Sequence, residues 1–472
     1  MEQIKTDLLV IGAGSGGLSV AAGAVQMGAE VVLLEGHLMG GDCLNFGCVP
    51  SKALLASGKV AYTQAHAKAF GVADVVPAVD YAAAKDHVAD VIAQIEPNDS
   101  VERFESLGVR VIEEYGAFTG PNEVQAGPFS ITARRIVIAT GSSPMVPPIP
   151  GLADVPYLTN ETLFELREKP DHLLIIGAGP IGLEMAQAHR RLGCKVTVIE
   201  GDKALGRDDP EMAAFVLDAL KVEGVQIEEN ALAAQISEVE GEIRVETQDG
   251  RSFAGSHLLV AVGRKPNIDR LNLSAAGIDT TRAGIKVDDS LKTSNRKVYA
   301  IGDVTGGKQF THVAGYHAGV IIRSALFGLP AKQRTDHIPH ATYTDPELAQ
   351  IGPTEAEARE THGDKLEVVR FDLHHNDRLI AERKAKGLIK VMVVKGRPVG
   401  VSIVGHQAGE HINLWALAIA NKLKMGAVAA MVSPYPTVGE IGKRAAGAYF
   451  SPRLFDSAKV KRVVGFVQRW LP

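Results

Sequence analysis

Two cysteines that could do redox chemistry together lie close in the sequence, in the stretch GGDCLNFGCVPSK. Cys43 and Cys48 have four residues between them, in a chain of 472 residues that holds only three cysteines. So few cysteines exclude the disulfide framework of a secreted protein and are typical of a reducing compartment. The flanking residues decide whether the two thiols react or are packed structural cysteines.

A helix is predicted to begin within this segment and to continue through ALLASGKV. The partial positive charge at a helix N-terminus lowers the pKa of a nearby thiol and stabilises its thiolate. Lys52 follows Cys48 by four residues, which is about one helical turn, so both side chains are expected on the same side of the helix. The segment therefore predicts a reactive thiol pair beside a cation.

A Gly-rich turn occurs twice in the chain, each time between a short apolar strand and a helix. In DLLVIGAGSGGLSVAAGAVQMGAEVVLLEG the turn supplies Gly12, Gly14 and Gly17, and the second strand ends in Glu35. The first glycine permits the tight bend, the second lets backbone approach a pyrophosphate, and the third lets the helix pack on the strand. The helix N-terminus then faces the phosphate charge, and the acid accepts hydrogen bonds from a ribose.

The second copy is HLLIIGAGPIGLEMAQAHRRLGCKVTVIEG, which supplies Gly177, Gly179, Gly182 and Glu200. The first glycine and the acid are 23 positions apart in both copies, which predicts two dinucleotide sites on one chain. The Glu200 carboxylate favours a free ribose 2′-hydroxyl over a 2′-phosphate, so NAD(H) is expected in preference to NADP(H). Two basic residues close behind Glu200 weaken this preference.

Three further strands end in short loops, where open α/β sheets hold their ligands. RRIVIATGSSP places Thr140 and Gly141 after a strand, HLLVAVGRKPN places Gly263 there, and KVYAIGDVTG places Asp303 there. Asp303 is a candidate to bind a hydroxyl of a bound cofactor chain.

The bulk composition limits the class of protein. Hydrophobic residues make up 46% of the chain and the net charge is −5, whereas a general nucleic-acid binder needs a basic excess. No apolar run reaches the roughly 18 residues of a membrane-spanning helix, and no signal peptide is expected. We therefore expect a cytoplasmic protein without a nucleic-acid partner.

With these motifs the chain resembles the class I pyridine-nucleotide disulfide oxidoreductases, flavoproteins that include dihydrolipoamide dehydrogenase, glutathione reductase and mercuric reductase. GGDCLNFGCVPSK resembles their redox-active cysteine motif, and ATGSSP, VGRKPN, YAIGDV and YTDPELAQIGPTEAEA resemble further signatures in the same order. The resemblance implies an α/β fold with two Rossmann-like dinucleotide-binding domains and a C-terminal α+β dimerisation domain. The implied regions are an FAD domain at 1–150, an NAD(P) domain at 151–270, a return to the FAD domain at 271–335, and a dimerisation domain at 336–472.

The resemblance also implies roles for the site residues. The first Gly-rich copy would hold FAD, with Gly116 and Ala117 at the same cofactor site, and the second copy would hold NAD(H). Cys43 and Cys48 would form a disulfide that opens and closes in each turnover, with Cys48 as the charge-transfer thiol against the flavin and Cys43 as the interchange thiol. Electrons would pass from NADH through FAD to this disulfide and on to an acceptor.

Two more positions follow from the same resemblance. Glu184, in GLEM on the second nucleotide helix, would lie near Lys52, where the nicotinamide docks against the flavin. The structural alternative is that Glu184 and Lys52 only form a salt-bridged pair in the core. A helix that begins near Thr311 would aim its N-terminus at the pyrimidine edge of the flavin.

One position departs from the disulfide-reducing members, which carry a His-Pro motif near the C-terminus and contribute that His across the dimer. The matching stretch SPYPTVGEIG keeps Pro436, Thr437 and Glu440, but Tyr435 stands at the position of the His. A tyrosine, with a pKa near ~10, is a poor proton acceptor at neutral pH compared with His near ~6.5. Tyr435 is thus either a catalytic residue acting with Glu440 in a homodimer, or a plain interface aromatic.

Mercuric reductases also carry a tyrosine at that place. They additionally use a cysteine pair in the C-terminal tail, whereas nothing after Cys194 is cysteine here, and no N-terminal metal-binding domain is expected before the flavin domain. The prediction is a mercuric-reductase-like, flavin-dependent NAD(P)H oxidoreductase whose acceptor is a metal ion, a small disulfide or a quinone. The alternatives are a dihydrolipoamide dehydrogenase variant and a redox-sensing flavoprotein without turnover.

Three remaining features have a structural and a functional interpretation. Cys194 is expected to be a small packed residue. His374 and His375 are expected to be a solvated surface pair, and no metal site is predicted. The tail, residues 453–472, is predicted to contain a basic amphipathic helix, which packs on the dimer or the FAD domain, the favoured interpretation, or attaches weakly to an anionic membrane surface.

Overall fold

The computed structural model describes residues 1–471, which form two compact units. The first unit comprises Met1–Gly201 and Asn230–Arg334, and the second comprises Asp202–Glu229 and the residues from Thr335 onward. The four regions expected from the sequence divide the chain more finely, and their boundaries stay predictions. Within residues 1–471 no helix is long and apolar enough to cross a membrane.

A seven-stranded sheet forms the centre of the N-terminal part of the first unit. Its strands follow the order Arg110–Ile112, Val31–Leu34, Glu2–Ile11, Phe129–Ile138, Glu123–Ala126 and Gly116–Gly120, and Val298–Ala300 also pairs with Phe129–Ile138. The strand Glu2–Ile11 is parallel to both of its neighbours. Its last four residues are all buried, as in parallel strands that are covered on both faces.

A second parallel sheet lies in the same unit and contains Lys195–Ile199, His172–Ile176 and His257–Val260. The unit also has a three-stranded antiparallel sheet and two strand pairs: Ala233–Val239, Glu242–Thr247 and Ser252–Gly255; Ser142–Pro144 with Arg264–Pro266; Thr280–Thr281 with Gly284–Ile285. The two parallel sheets confirm the pair of Rossmann-like folds predicted from the repeat.

The α-helices of the first unit are Ser15–Gln26, Gly41–Asn45, Cys48–Ala65, Tyr81–Ile95, Val101–Ser106, Asn160–Leu163, Pro180–Arg191 and Thr311–Ile321. A π-helical turn covers Ile322–Leu326, and 3₁₀ helices cover Ala67–Phe70, Glu96–Asn98, Leu152–Asp154, Leu273–Ala276 and Gly302–Thr305. The two helices that follow the Gly-rich turns begin alike, because their N-caps, Gly14 and Gly179, share an extended backbone with φ −77° and ψ −178°.

The second unit confirms the predicted α+β fold. Its antiparallel sheet has the strand order Pro339–Thr342, Glu347–Ile351, Arg397–Gly405, Leu388–Val394 and Leu366–Asp372. Its other elements are the helices Pro210–Val222, Glu355–His362, Asp377–Ala381, Ala408–Ala420, Met425–Ala429, Glu440–Phe455 and Ala458–Trp470, the 3₁₀ helices Gly363–Lys365 and Leu373–His375, and the strand Gln226–Glu228. Trp415 is fully buried in the core that these helices form on the sheet.

A buried ion cluster explains why the segment Asp202–Glu229 belongs to the second unit. Lys390, with a side chain only 3% exposed, lies 2.9 Å from Asp209, 2.6 Å from Glu211 and 3.1 Å from Glu355. A buried ammonium needs such partners, because an unpaired charge in the interior is strongly destabilising. Asp209 and Glu211 begin helix Pro210–Val222, so the cluster fastens that helix to the strand that carries Lys390.

The tail forms the predicted helix, Ala458–Trp470, whose N-cap Ser457 accepts a hydrogen bond from the Val460 N–H. This helix buries none of its side chains. Its packing on the FAD domain, which the sequence favoured together with packing on the dimer, stays a prediction, as does packing on a partner copy.

Candidate active site

The redox segment forms two helices joined by a short turn. Cys43 lies in the five-residue helix that begins at Gly41, and Cys48 is the first residue of helix Cys48–Ala65. Cys43 is half-buried, Cys48 is exposed, and both are free thiols in this structure. The hydroxyl of Thr311, the first residue of an 11-residue helix, lies 3.5 Å from Cys48 Sγ. The N-termini of two helices therefore meet at Cys48.

The surroundings give the two thiols different acidities. A hydrogen bond from the Cys43 thiol lowers the pKa of Cys48 to about 6, although burial opposes it, and the Thr311 hydroxyl and the Lys52 ammonium lower it further. The same interaction with Cys48, together with burial, raises the pKa of Cys43. At pH 7 Cys48 is therefore largely a thiolate and Cys43 a thiol.

Lys52 and Glu184 form an ion pair between two helices. Lys52 Nζ lies 2.8 Å from Glu184 Oε2, and the Glu184 side chain is only 5% exposed. The backbones of helices Cys48–Ala65 and Pro180–Arg191 approach closely at Gly58. A Cβ added to Gly58 would lie 3.2 Å from the carbonyl oxygen of Ala188. The structure thus brings together the residues that the sequence expected to be neighbours, with the geometry of a salt-bridged pair.

Asp42, next to Cys43, accepts a hydrogen bond and forms an ion pair that the sequence did not indicate. Its Oδ1 lies 3.1 Å from Asn160 Nδ2 and 3.0 Å from Nη2 of Arg264. Arg264 also donates to the Ser142 hydroxyl at 2.7 Å, and that hydroxyl donates to Asp303 Oδ2 at 2.6 Å. Asp42 and Asp303, which are far apart in sequence, are therefore joined through one guanidinium and one hydroxyl.

The two Gly-rich turns have the same geometry. Gly12 and Gly177 adopt positive φ angles of 104° and 105°, and a Cβ on either would lie 2.5 Å from a strand-end carbonyl oxygen. A Cβ on Gly17 or Gly182 would lie 1.9 or 2.1 Å from the carbonyl oxygen of the first glycine of its turn. By contrast, a Cβ on Gly14 or Gly179 would meet nothing within 4 Å. Each turn therefore has one position that is open for close approach of a ligand.

The acids at the ends of the second strands face back to these turns. Glu35 Oε2 accepts from the Ala13 N–H at 2.7 Å, and Glu200 Oε2 accepts from the Ala178 N–H at 2.7 Å. Both carboxylates thus brace the residue between the first two glycines of their turn. Their binding to a ribose stays a prediction.

The loops that carry Thr140, Gly141 and Gly263 meet in the structure. The Thr140 hydroxyl donates to the Asn267 carbonyl oxygen at 2.8 Å, and Asn267 Nδ2 donates to the Thr140 carbonyl oxygen at 3.0 Å. Gly141 and Gly263 have φ angles of 67° and 134°, which glycine adopts more readily than other residues.

Gly116 and Ala117 begin the strand at the edge of the first sheet. A Cβ added to Gly116 would lie 2.7 Å from Leu34 Cδ1, so Gly116 packs closely against the residue before Glu35. Asp303 is largely buried, and this burial raises the pKa of its carboxyl group. The contribution of these residues to a cofactor site stays a prediction.

The family of the chain follows from comparison with known proteins. Residues 6–318 match the model of the pyridine nucleotide-disulphide oxidoreductases, and residues 338–446 match the dimerisation domain of the same group. The chain belongs to the class I pyridine nucleotide-disulphide oxidoreductases. It is 34% identical to a mercuric reductase of Bacillus cereus over 442 residues, which cover 92% of this chain and 70% of that protein.

Two other members of the family are similar to this one. A dihydrolipoyl dehydrogenase of Bacillus subtilis is 30% identical over 446 residues, which cover 92% of this chain and 96% of that protein. The HOCl-induced flavoprotein disulfide reductase RclA of Escherichia coli has a solved structure that superposes with a TM-score of 0.84 at 28% identity, covering 93% of this chain and 99% of that one.

Membership makes the chain an FAD-dependent pyridine nucleotide-disulphide oxidoreductase, in a family whose cofactors are FAD and NAD(P)H. The residues present fit these cofactors. Each Gly-rich turn leaves open backbone at its second glycine, at the positive end of a helix. The largely buried Asp303 follows strand Val298–Ala300 of the first sheet and offers a carboxylate acceptor there. The dimerisation-domain match supports a homodimer.

Tyr435 is held by a neighbour within the dimerisation part of this oxidoreductase. Its hydroxyl donates to Asp377 Oδ2 at 2.9 Å. The hydrogen bond and the negative charge of Asp377 raise the pKa of Tyr435. Glu440 lies 3.7 Å from Arg444, one turn further along its own helix. Tyr435 is therefore hydrogen-bonded to Asp377, and the negative charge of Glu440 also raises the pKa of Tyr435.

A histidine that the sequence did not single out lies near this segment. His411 lines a cavity of about 290 Å³ together with Ser433, Pro434 and Thr437. Burial lowers the pKa of His411 to about 4, and its Nε2 has no hydrogen-bond partner among the described residues. His411 is therefore a neutral imidazole at pH 7. The pattern of the sequence could not locate it, because it lies on helix Ala408–Ala420, whereas Tyr435 lies in the loop before helix Glu440–Phe455.

Two smaller expectations agree with the structure. Cys194 is fully buried, and burial raises the pKa of its thiol to about 11, as expected of a packed cysteine. His374 and His375 are exposed. Within residues 1–471 no group of three or more His, Cys, Asp or Glu side chains could hold a metal ion, and the absence of a resident metal site stays a prediction.

Proposed function

We propose that this oxidoreductase uses NADH and the Cys43–Cys48 pair to reduce a metal ion that binds thiolates. The observation that carries the proposal is the state of Tyr435. At the position where disulfide-reducing relatives carry a proton-transferring His, this chain has a phenol whose hydroxyl donates to Asp377 at 2.9 Å. Its pKa is raised, so it is neutral at pH 7 and releases its proton reluctantly. A departing thiolate would lack an efficient acid.

A metal ion makes a different demand on the site. It is bound and reduced by sulfur electron pairs, and no leaving group has to be protonated. Cys48 is already a thiolate at neutral pH, since its pKa is about 6, and soft thiolates select soft ions such as Cu(I). Lys52 and Thr311 would stabilise the thiolate charge until the ion arrives. Cys43 would supply the second sulfur after losing its proton to water.

The electrons balance for such a substrate. FAD, when bound, supplies the chemistry that carries the electron pair of NADH to the disulfide. The reduced pair then forms one S–S bond and releases two electrons, which convert one Hg(II) to Hg(0) or two Cu(II) to two Cu(I). The Gly14 turn and Asp303 would hold FAD, and the Gly179 turn and Glu200 would hold NADH in preference to NADPH.

The names of the relatives favour the same substrate class. One relative is a mercuric reductase, and one structure of RclA is described as a Cu(II) complex, with a TM-score of 0.83 to this chain. This chain differs from mercuric reductases with a C-terminal cysteine pair, because the sequence has no cysteine after Cys194. We therefore propose metal reduction at the Cys43–Cys48 pair itself, without delivery from tail cysteines.

The test is NADH oxidation by the purified FAD-loaded protein with Cu(II), Hg(II), lipoamide, glutathione disulfide and a soluble quinone in parallel. We expect turnover with a metal ion that is lost in Cys43→Ser and Cys48→Ser. Cys194→Ser is the matched control, because it removes the remaining thiol and should keep turnover. Faster turnover with lipoamide would instead favour a dihydrolipoamide dehydrogenase. Flavin bleaching by NADH without turnover of any acceptor would favour a redox sensor.

A further inference from the structure

The helix Ala458–Trp470 presents an uncovered apolar face. From Lys461 to Leu471 every residue is exposed. At 3.6 residues per turn, Val463, Phe466, Val467 and Trp470 lie along one side of this helix. Leu454 and Phe455, at the end of the preceding helix, are exposed as well. Large apolar side chains that are exposed together mark an interaction surface, whereas single ones do not.

The opposite side of the same helix is basic. Lys461, Arg462 and Arg469 lie there, Lys459 lies in the first turn, and no acidic residue occurs from Ser457 to Leu471. The chain as a whole has a net charge of −5, so the tail differs in sign from the rest of the molecule. An amphipathic helix with aromatic residues on one face and Lys and Arg on the other is suited to an anionic lipid interface.

The tail also lies outside the part of the chain that matches the family's dimerisation-domain model. The match to the dimerisation domain ends at residue 446, whereas the helix begins at Ala458. The charge of the tail and its aromatic side chains favour lipid over a second copy.

We propose that the helix Ala458–Trp470 attaches this reductase to the surface of an anionic membrane. The helix would lie in the plane of the interface. Phe466 and Trp470 would enter the boundary between headgroups and acyl chains, and Arg462 and Arg469 would remain at the level of the lipid phosphates. The proposal is independent of the electron acceptor, because no residue of the catalytic machinery takes part.

The two tryptophans provide a specific measurement. Trp415 is fully buried and Trp470 is exposed, so quenching by aqueous iodide reports on Trp470. We expect phosphatidylglycerol vesicles added to the FAD-loaded, full-length protein to protect Trp470 from iodide and shift its emission to the blue. Vesicles of pure phosphatidylcholine should protect it much less, and added salt should reverse the effect.

Variants separate the apolar and the basic contributions. Phe466→Asp should abolish co-flotation with phosphatidylglycerol vesicles, and the double change Lys461→Gln with Arg462→Gln should weaken it by about tenfold or more. Val222→Asp, at an exposed valine on another helix, is the matched control and should float like the parent. All of these variants should keep turnover with a soluble acceptor.

Three outcomes would overturn the proposal. The first is equal flotation of the parent and Phe466→Asp, and the second is equal protection of Trp470 by neutral and anionic vesicles. The third is that Phe466→Asp changes the mass of the protein in light scattering, which would assign the face to contact between copies.

Discussion

Tyr435 donates its phenolic hydroxyl to the carboxylate of Asp377, and the distance between the two oxygens is 2.9 Å. The phenol in this arrangement uses its proton in the hydrogen bond to Asp377. Its raised pKa keeps it protonated at neutral pH. The negative charge of Glu440, the acid expected to act with Tyr435, raises the same pKa. Under the proposed function, the choice of electron acceptor depends on this contact between the segment at Tyr435 and helix Asp377–Ala381.

The first prediction concerns this position. Tyr435→His restores a His-Pro sequence with Glu440 downstream. The rate of lipoamide or glutathione disulfide reduction should therefore rise by at least about tenfold. This is a lower bound, because general acid–base catalysis typically contributes about a hundredfold or more. Tyr435→Phe, the matched control, removes only the hydroxyl and should not raise it. Steady-state rates of NADH oxidation with each disulfide are the measurement. Equal rates in the two variants would contradict the role assigned to this position.

The second prediction concerns the acidity of Cys48. In the reduced protein, alkylation by iodoacetamide should reach half its maximal rate near pH 6, since the pKa is about 6, whereas an ordinary cysteine requires about pH 8.5. The rate should rise with pH through this range, because the thiolate is the nucleophile.

Lys52→Met should move the midpoint of this alkylation curve upward, because the ammonium lowers the pKa of Cys48. Lys59→Met, at an exposed lysine on the same helix, is the control and should leave it unchanged. A midpoint near pH 8.5 in the parent protein would refute the assignment of Cys48 as the thiolate.

The third prediction concerns Asp42. Its negative charge raises the pKa of both Cys43 and Cys48. Asp42→Asn keeps an oxygen acceptor for Arg264 and removes the charge, so the alkylation midpoint should fall while the free energy of unfolding decreases by only about 1 kcal/mol. Asp42→Ala removes the acceptor too and should cost more stability. Urea denaturation and alkylation of the same samples provide both quantities. A rise in the midpoint for Asp42→Asn would contradict this account.

The fourth prediction uses the open glycines. A methyl group on Gly14 or Gly179 meets no atom of the chain within 4 Å, so either alanine variant should fold. Gly14→Ala should be purified with little FAD, because its methyl group occupies the space of the first nucleotide. Gly179→Ala should keep FAD and show a raised KM for NADH. Flavin absorbance per protein and NADH saturation curves distinguish them, and identical behaviour of the two would contradict the assignment of one turn to each cofactor.

The sequence was sufficient for features that depend on local pattern. The two turns and the helix that begins at Cys48 follow from glycine spacing and local sequence pattern, which are properties of neighbouring residues. The α+β C-terminal part was expected only through the family resemblance. The neighbourhood of Lys52 and Glu184 was expected only through the family resemblance. Its geometry depends on the close approach of two helices at Gly58, which spacing does not encode.

Contacts between distant segments could not be predicted. Asp42 reaches Arg264, and Tyr435 reaches Asp377, across segments whose placement is set by tertiary packing. No period in the sequence marks such partners. The tail shows a second limit. Its amphipathic pattern predicted the helix Ala458–Trp470 correctly, but an apolar face does not reveal what covers it.

The strand Val298–Ala300, which completes the N-terminal sheet, has a consequence for the synthesis of this protein on the ribosome. The strand Glu2–Ile11 emerges first. The strand Val298–Ala300 and the following Asp303 emerge only after the whole second nucleotide-binding fold has been translated. A nascent chain that stops short of Val298 would expose the edge of Phe129–Ile138, and such unpaired edges invite aggregation. Flavin capture should therefore come late in translation, and chaperone occupancy should fall once residue 303 has left the exit tunnel.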